Sequence, residues 1–171
     1  MEYGFEEAWA LLKAQNPKYL GGSTGAVAHT LPDGRRVVVK RGAHPAHIQN
    51  EYDMNRYLHA LGMGVPDATM HEDKDGNPLM MTQYEEGSKV PTDDDKARLR
   101  EDFVPPALIG NWDVLGMDMD NVLMRPDGTP TYVDVGGAGP YRAQGAPKGD
   151  AFGPRVGELE SMQSKPPHTE R

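Results

Sequence analysis

The most informative segment of this sequence is Asn121-Val-Leu-Met-Arg-Pro-Asp-Gly-Thr-Pro-Thr-Tyr-Val-Asp134-Val-Gly136. Its centre is a Pro-Asp-Gly turn between two short apolar runs, so we predict a β-hairpin. A hairpin brings the ends of such a segment together, and here the ends carry Asn121 and Asp134. Amide and carboxylate oxygens are hard ligands that suit Mg²⁺. The segment can therefore place two oxygen ligands side by side; the alternative is that Asn121 caps a turn and Asp134 merely precedes a glycine loop.

A second predicted hairpin lies nearer the amino terminus. Ala26 to Leu31 and Arg35 to Lys40 flank a Pro-Asp-Gly turn, and the second run is rich in valine. The glycine-rich run 21–25 precedes them, without the Gly-Lys-Ser/Thr ending of a Walker loop. Backbone N–H groups of such a run can approach phosphates, although a flexible turn is the alternative. The candidate nucleotide-binding positions in this run are Gly22, Ser23 and Gly25.

A helix is predicted to begin at Pro45 and to end near Gly62, with apolar residues mostly on one face. Glu51 lies near its middle, where its carboxylate can face Lys40 and hold the ammonium toward a nucleotide. Asp53 is the reserve partner. The alternatives are a solvated lysine at the end of a strand and a surface glutamate on an amphipathic helix.

Together these segments resemble the protein-kinase-like superfamily, in which a glycine-rich hairpin, a strand lysine and an Asn/Asp pair surround ATP. Asn111-Trp-Asp113, Asp120-Asn121, Val135-Gly-Gly and the loop from Tyr141 to Gly149 also resemble a small bacterial and phage family of kinase-like domains. The resemblance covers approximately residues 20–160. It implies ATP and Mg²⁺ as ligands, with Lys40 on the phosphates and Asn121 and Asp134 on the metal.

The fold that this resemblance implies is α+β: a minimal two-lobed kinase-like fold, with a small antiparallel sheet and one helix in the N-lobe and a reduced C-lobe. We expect an N-terminal helix over 1–17, a kinase-like domain over 18–163 and a disordered tail over 164–171. Within the domain, the N-lobe spans about 18–84, the hinge about 83–88 and the C-lobe about 89–163. The hinge would hold adenine, and its candidate binding residues are Met81, Gln83 and Tyr84.

In kinases, an aspartate ahead of the metal-binding asparagine accepts the proton of the acceptor hydroxyl. Asp113 is the candidate, because it follows an apolar stretch that could fix its position. The sequence lacks His-Arg-Asp, and Asp113 precedes Asn121 by eight residues instead of five. Asp118 and Asp120 are the alternatives. Beyond the metal site, Arg142 and Lys148 could meet an acidic substrate, or lie on a solvent-exposed basic loop.

Composition limits the other function classes. The chain has 171 residues, no cysteine and a net charge of -8, so disulfides and thiolate sites are excluded and general nucleic-acid binding is disfavoured. Met1 to Gln15 does not read as a signal peptide, and no apolar run is long enough for a membrane span. We expect a cytoplasmic protein, in a host cell if a phage encodes it.

Three functions are consistent with these residues. The first is phosphoryl transfer from ATP to a protein hydroxyl, and the second is AMP transfer on the same fold. The third is a silent pseudokinase or nucleotide-binding interaction module. Because a full kinase uses many more residues for substrate docking, the short chain also predicts a fused or bound partner that helps to recognise the protein substrate.

Overall fold

The computed structural model describes residues 9–10, 26–31, 33–89, 92–116 and 119–157. Over these residues the protein is mixed α+β, with a four-stranded and a three-stranded antiparallel sheet and few helices. Trp9 and Ala10 are helical, but the remainder of the predicted N-terminal helix lies outside the described residues, as does the predicted tail over 164–171. Within the described ranges, no helix is long and apolar enough to cross a membrane.

The four-stranded sheet contains the hairpin predicted over residues 26–40 and, later in the chain, a second hairpin. Its strands are β1 (Val27–Thr30), β2 (Arg36–Lys40), β3 (Ala68–Glu72) and β4 (Pro78–Gln83), in the spatial order β1-β2-β4-β3. Because side chains alternate along a strand, β2 has two different faces. Val37 and Val39 pack in a core cluster with Leu31, Leu79 and Met81, against which Trp9 also packs. Val38 and Lys40 consequently lie on the opposite face and line a cleft.

Helix α1 (Pro45–Ala60) follows β2 and precedes β3 in the chain, as predicted, and it packs against the sheet. Pro45 occupies its first turn, and the side chain of His44 accepts a hydrogen bond from the backbone N–H of His47 and caps the helix. The buried residues of α1 include polar ones: His47, Glu51 and Asn55 are buried together with Ile48 and Leu58. Buried polar side chains need partners, and those of His47 and Glu51 lead to the candidate site.

The three-stranded sheet consists of β5 (Ser88–Lys89), β6 (Val122–Met124) and β7 (Pro130–Tyr132). The hairpin predicted around the Pro-Asp-Gly turn at 126–128 is confirmed as β6 and β7, with Val122 opposite Tyr132. These two residues belong to a core cluster with Leu58 of α1, so this hairpin is anchored to the same helix as the first sheet.

Two helices connect β5 to β6. Helix α2 (Asp93–Glu101) begins with a capping box, in which the side chains of Thr92 and Asp95 each accept the backbone N–H of the other. Helix α3 (Val104–Leu108) starts three residues later. Pro105 and Pro106 lie in the first turn of α3, where a missing N–H is tolerated.

The turn between β3 and β4 depends on the buried carboxylate of Asp73. One of its oxygens accepts the backbone N–H groups of Asp75 and Asn77 at 2.8 and 2.9 Å, and the other accepts from Arg41 at 2.8 Å. Burial by itself would raise the pKa of Asp73, but the hydrogen bonds from Asn77, Asp75 and Arg41 lower it to about 2. The ionised form therefore stabilises the folded protein.

Replacing Asp73 by asparagine is expected to lower the free energy of unfolding by roughly 1–3 kcal/mol at neutral pH, because the charge-assisted bond to Arg41 is lost. A carboxylate whose pKa is depressed on folding stabilises most at pH values above its unfolded pKa, near 3.8. The difference from the wild type should therefore shrink as the pH falls from about 4 to about 2. Urea denaturation across this pH range measures it, with Asp75→Asn as the control on the same turn. A difference that does not change with pH would contradict this assignment.

Candidate active site

Lys40, at the end of β2, is the centre of the site. Its side chain is buried, and its ammonium donates to Oε1 of Glu51 at 2.7 Å and to the backbone carbonyl of Val133 at 2.9 Å. Its Nζ also lies 3.5 Å from Oδ2 of Asp134. The predicted pairing of Lys40 with Glu51 is present, whereas the reserve partner Asp53 is exposed and accepts a hydrogen bond from Gln49.

The charges of this cluster favour a bound cation. Burial alone would lower the pKa of Lys40, but the carboxylates of Asp134 and Glu51 raise it above its ordinary value, so the lysine stays protonated. Burial would raise the pKa of Asp134; the Lys40 ammonium and the N–H of Gly136 instead hold it below the ordinary value. Burial raises the pKa of the Glu51 carboxyl, against the opposing charge of Lys40. Of the three side chains only Asp134 is substantially open to solvent, at 33% exposure, so its ionised carboxylate is the group that can meet a cation.

Asp134 is oriented by the glycine segment that follows it. Its Oδ1 accepts the backbone N–H of Gly136 at 3.0 Å. A Cβ at position 136 would lie 3.2 Å from an oxygen of Glu51 and 3.3 Å from both Asp134 Oδ1 and His47 Nε2. A larger residue here would therefore crowd three polar side chains that converge on its Cα.

Asn121 lies beside Asp134 because β6 and β7 pair. The backbone N–H of Val133 donates to the carbonyl of Asn121 at 2.9 Å, so Asp134 follows directly on the residue opposite Asn121. The side-chain Nδ2 of Asn121 donates to the backbone carbonyl of Asp113 at 2.7 Å. This bond uses the amide nitrogen and leaves the amide oxygen as the atom that could bind a metal.

The loop between Asp113 and Asn121 accommodates their separation of eight residues, in place of the five that kinases have. Gly116 and Met119 both have positive φ values, of 74° and 53°, and the N–H of Asn121 donates to the carbonyl of Leu115 at 3.2 Å. Such backbone folds the chain back so that Asn121 reaches Asp113. Asp118, one of the alternative bases, lies outside the described residues.

A cleft of about 270 Å³ extends from Lys40 along one face of the first sheet. It brings together the candidates Lys40, Gln83, Tyr84, Asn121 and Asp134. Several other lining residues had no predicted binding role, because they lie at sheet and loop positions without a recognisable motif. They are Ala26, Val38, Pro66, Thr82, Glu85, Leu123 and Val133. Asp120, which was predicted only as an alternative base, also lines the cleft.

Three described candidates, Glu51, Met81 and Asp113, do not line the cleft, and Glu51 acts on it only through Lys40. Met81 is fully buried in the core cluster on the other face of β4 and does not line the cleft; its neighbour Thr82 does. The error follows from strand periodicity, since alternate residues of β4 face opposite sides. The side chain of Asp113 is also absent from the cleft lining; its β-carbon lies 3.0 Å from where a Cβ of Gly137 would be.

The segment after β4 is held from both sides of the cleft. Arg36 of β2 stacks over the ring of Tyr84 at 3.6 Å and pairs with Glu86 at 3.0 Å, while Arg125 pairs with Glu85 at 3.0 Å. The N–H groups of Gln83 and Tyr84 already donate to the carbonyls of Asp67 and Arg36. A purine bound at this segment would therefore have to use other groups.

Lys148 has a structural role that differs from the roles predicted for it. Its ammonium is buried and donates to the carbonyls of Gly110, Gly137 and Gly139, so it holds the glycine segment and is not on a solvent-exposed loop. Arg142 is exposed and lies over the ring of Trp112 at 5.3 Å. Only Arg142 of the two remains accessible to a substrate.

The described residues suit Mg²⁺, which shares its ligands with phosphates and water, better than a metal that is bound by protein ligands alone. Among them, no cluster of three His, Cys, Asp or Glu side chains could hold a metal ion. Mg²⁺ usually binds through one or two protein oxygens, with substrate phosphates and water completing its shell. An open, ionised Asp134 and the amide oxygen of Asn121 meet that requirement. Gly22, Ser23 and Gly25, which were predicted to approach the phosphates, lie outside the described residues.

Comparison with known proteins gave no family model that matches the chain, and no curated protein that matches it. The functional assignment therefore rests on the geometry of the cleft and its charges.

Proposed function

We propose that this protein is a minimal kinase-like phosphotransferase that uses ATP and Mg²⁺ to modify a protein hydroxyl. The observation that supports this most strongly is the buried Lys40 ammonium, fixed by Glu51 and placed 3.5 Å from Asp134 at the base of a cleft. A buried lysine that is charged and aimed beside an open carboxylate is suited to phosphate oxygens and their counter-ion.

In this proposal Asp134 and Asn121 hold Mg²⁺, Lys40 contacts phosphate oxygens, and the segment from Thr82 to Glu85 borders the purine. Bound Mg²⁺ would neutralise charge on the phosphates during transfer. Lys40 contributes positive charge that needs no reorganisation, because Glu51 and the Val133 carbonyl already fix its position. The proposed fold is two-lobed, with the cleft between the four-stranded sheet and the three-stranded sheet.

Asp113 is proposed as the base that accepts the proton of the acceptor hydroxyl. Its carbonyl fixes Asn121, and its β-carbon approaches Gly137, so it lies next to both proposed metal-binding segments. The acceptor would then enter from the side of Trp112 and Arg142, outside the nucleotide cleft. We also propose that a fused or bound partner contributes to substrate docking.

The second candidate function is nucleotide binding without turnover. It is favoured by one observation: the carboxylate of Asp113 does not line the cleft, whereas Lys40, Asn121 and Asp134 do. A third outcome, AMP transfer, would use the same metal-binding residues with ATP bound in the reverse direction.

The test is label transfer from ATP to protein, with a bacterial lysate as the source of acceptors. We expect label from γ-labelled ATP, and a mass increase of one phosphate on the acceptor. Label from α-labelled ATP with a mass increase of one adenylate would indicate AMP transfer. Magnesium-dependent ATP binding without either label would support the silent module, and no ATP binding would overturn the proposal.

Replacing Asp113 by asparagine tests the proposed base. We expect ATP affinity within about threefold of the wild type, and transfer reduced by about 10²–10⁴-fold, the usual contribution of a positioned base. The backbone carbonyl that holds Asn121 is retained in this variant. Asp120→Asn is the matched comparison; if it abolishes transfer while Asp113→Asn does not, Asp120 is the base.

A further inference from the structure

His47 is a fully buried residue of α1 that the proposed chemistry does not use. Its Nδ1 accepts the backbone N–H of Ala43 at 3.1 Å, and its Nε2 lies 2.9 Å from the carbonyl oxygen of Gly136. A backbone N–H can only donate and a carbonyl can only accept. The ring must therefore carry its proton on Nε2 and donate it to Gly136.

This bond completes a chain of contacts that ends at the proposed metal ligand. The N–H of Gly136 donates to Oδ1 of Asp134, and the carbonyl of the same residue accepts from His47. Both polar groups of Gly136 are thereby fixed, one by the carboxylate and the other by the helix. Since Asp134 Oδ2 faces Lys40 at 3.5 Å, the orientation of the carboxylate depends on α1 through two separate routes, Glu51–Lys40 and His47–Gly136.

Neighbouring residues of α1 and its cap hold the same loop at other points. His44 accepts the N–H of His47 on Nδ1, so its Nε2 donates to the carbonyl of Gly145 at 3.0 Å. Asn50 donates to the carbonyl of Ala138 at 3.0 Å, and Tyr141 packs edge-on against both histidine rings. The first two turns of α1 thus contact the loop between 136 and 145 repeatedly.

We propose that His47 is a positioning residue for the metal site: its hydrogen bond to the Gly136 carbonyl holds Asp134 in the orientation that binds Mg²⁺. This inference rests on the proposed function and adds a residue that the sequence motifs do not reveal. Hydrogen bonds behind a metal ligand fix its direction, and their removal typically reduces metal affinity or activity by about 10–100-fold.

Two substitutions separate positioning from packing. The amide nitrogen of glutamine can occupy the place of Nε2, so His47→Gln keeps a donor for Gly136 but loses the acceptor for Ala43. Asparagine reaches only as far as Nδ1, so His47→Asn can keep the Ala43 bond but loses the donor. Calorimetric titration with ATP, with and without Mg²⁺, measures the gain in ATP affinity that the metal provides.

For His47→Asn we expect this magnesium-dependent gain to fall by about tenfold or more, while affinity for metal-free ATP changes by less than about threefold. His47→Gln should recover most of the gain. If His47 only fills space, both variants would lose thermal stability, and ATP affinity would change equally with and without Mg²⁺. The inference would be overturned if His47→Asn kept the magnesium-dependent gain of the wild type, or if His47→Gln lost as much of this gain as His47→Asn. Either result would leave the proposed function standing.

A measurement on the wild type covers the case in which the variants do not fold. Long-range ¹H–¹⁵N correlation spectra report the tautomer of each histidine ring. We expect the Nε2–H tautomer for His47, and a larger shift of its ring signals with Mg²⁺ and ATP than with ATP alone. The other tautomer, or no response to Mg²⁺, would overturn the role of His47. A wild type that gains no ATP affinity from Mg²⁺ would overturn the proposed function itself, and this inference with it.

Discussion

Asp134→Asn is expected to abolish the gain in ATP affinity that Mg²⁺ provides and to reduce label transfer from γ-labelled ATP by about 10²–10³-fold or more. Asparagine is nearly isosteric and can still accept the N–H of Gly136, so the turn after β7 should survive. What is lost is the negative charge, which is open to the cleft and which no other described residue supplies at the same place beside Lys40.

The matched control is Asp53→Asn, which removes the same charge from the exposed side of α1. It should bind Mg²⁺ and ATP as the wild type does. Calorimetric titration and label transfer should be made on both variants at the same ionic strength, since a change in net charge alone affects ATP binding. Normal turnover of ATP by Asp134→Asn would show that the metal site has been misplaced.

Lys40→Met is expected to reduce transfer by about 10²–10³-fold and to weaken ATP binding, because the fixed charge in the cleft is removed while the apolar stem is kept. It should also destabilise the fold by roughly 3–5 kcal/mol, since the buried carboxylate of Glu51 loses the Lys40 ammonium with which it pairs at 2.7 Å. Urea denaturation and label transfer measure the two effects.

The double variant Lys40→Met/Glu51→Gln separates stability from function. Removing the buried negative charge should recover part of the lost stability, because no uncompensated ion then remains. Transfer should stay as low as in Lys40→Met. Lys74→Met, on an exposed turn, is the control for loss of a positive charge. Recovery of transfer in the double variant would show that Lys40 acts only on the fold and not on ATP.

Much of the fold was predictable because local signals in the sequence agree with each other. Short runs with apolar and β-branched residues around Asp-Gly turns predicted β1, β2, β6 and β7, and Pro45 predicted the start of α1. The pairing of Lys40 with Glu51 was also predictable, since the start of α1 and the end of β2 fix their separation. The boundaries of these elements differ from the predictions by only one or a few residues.

The predictions were wrong where the position of a side chain depends on which face of a strand it occupies, or on contacts between segments that are distant in the sequence. Met81 and Thr82 are adjacent in sequence, yet only Thr82 lines the cleft. The burial of Lys148 depends on carbonyl partners that the fold of the glycine segment brings together. The bond from His47 to Gly136 spans 89 positions, and no local pattern marks it.

The central claim is that Asn121 and Asp134 hold one Mg²⁺ beneath the phosphates of ATP, next to Lys40. A crystal structure with Mn²⁺ and a non-hydrolysable ATP analogue tests it most directly, because Mn²⁺ can stand in for Mg²⁺ and be located by its anomalous signal. We predict an anomalous peak in contact with a carboxylate oxygen of Asp134 and the amide oxygen of Asn121, and phosphate oxygens within hydrogen-bonding distance of Lys40. Metal and nucleotide bound away from these three residues would contradict the account.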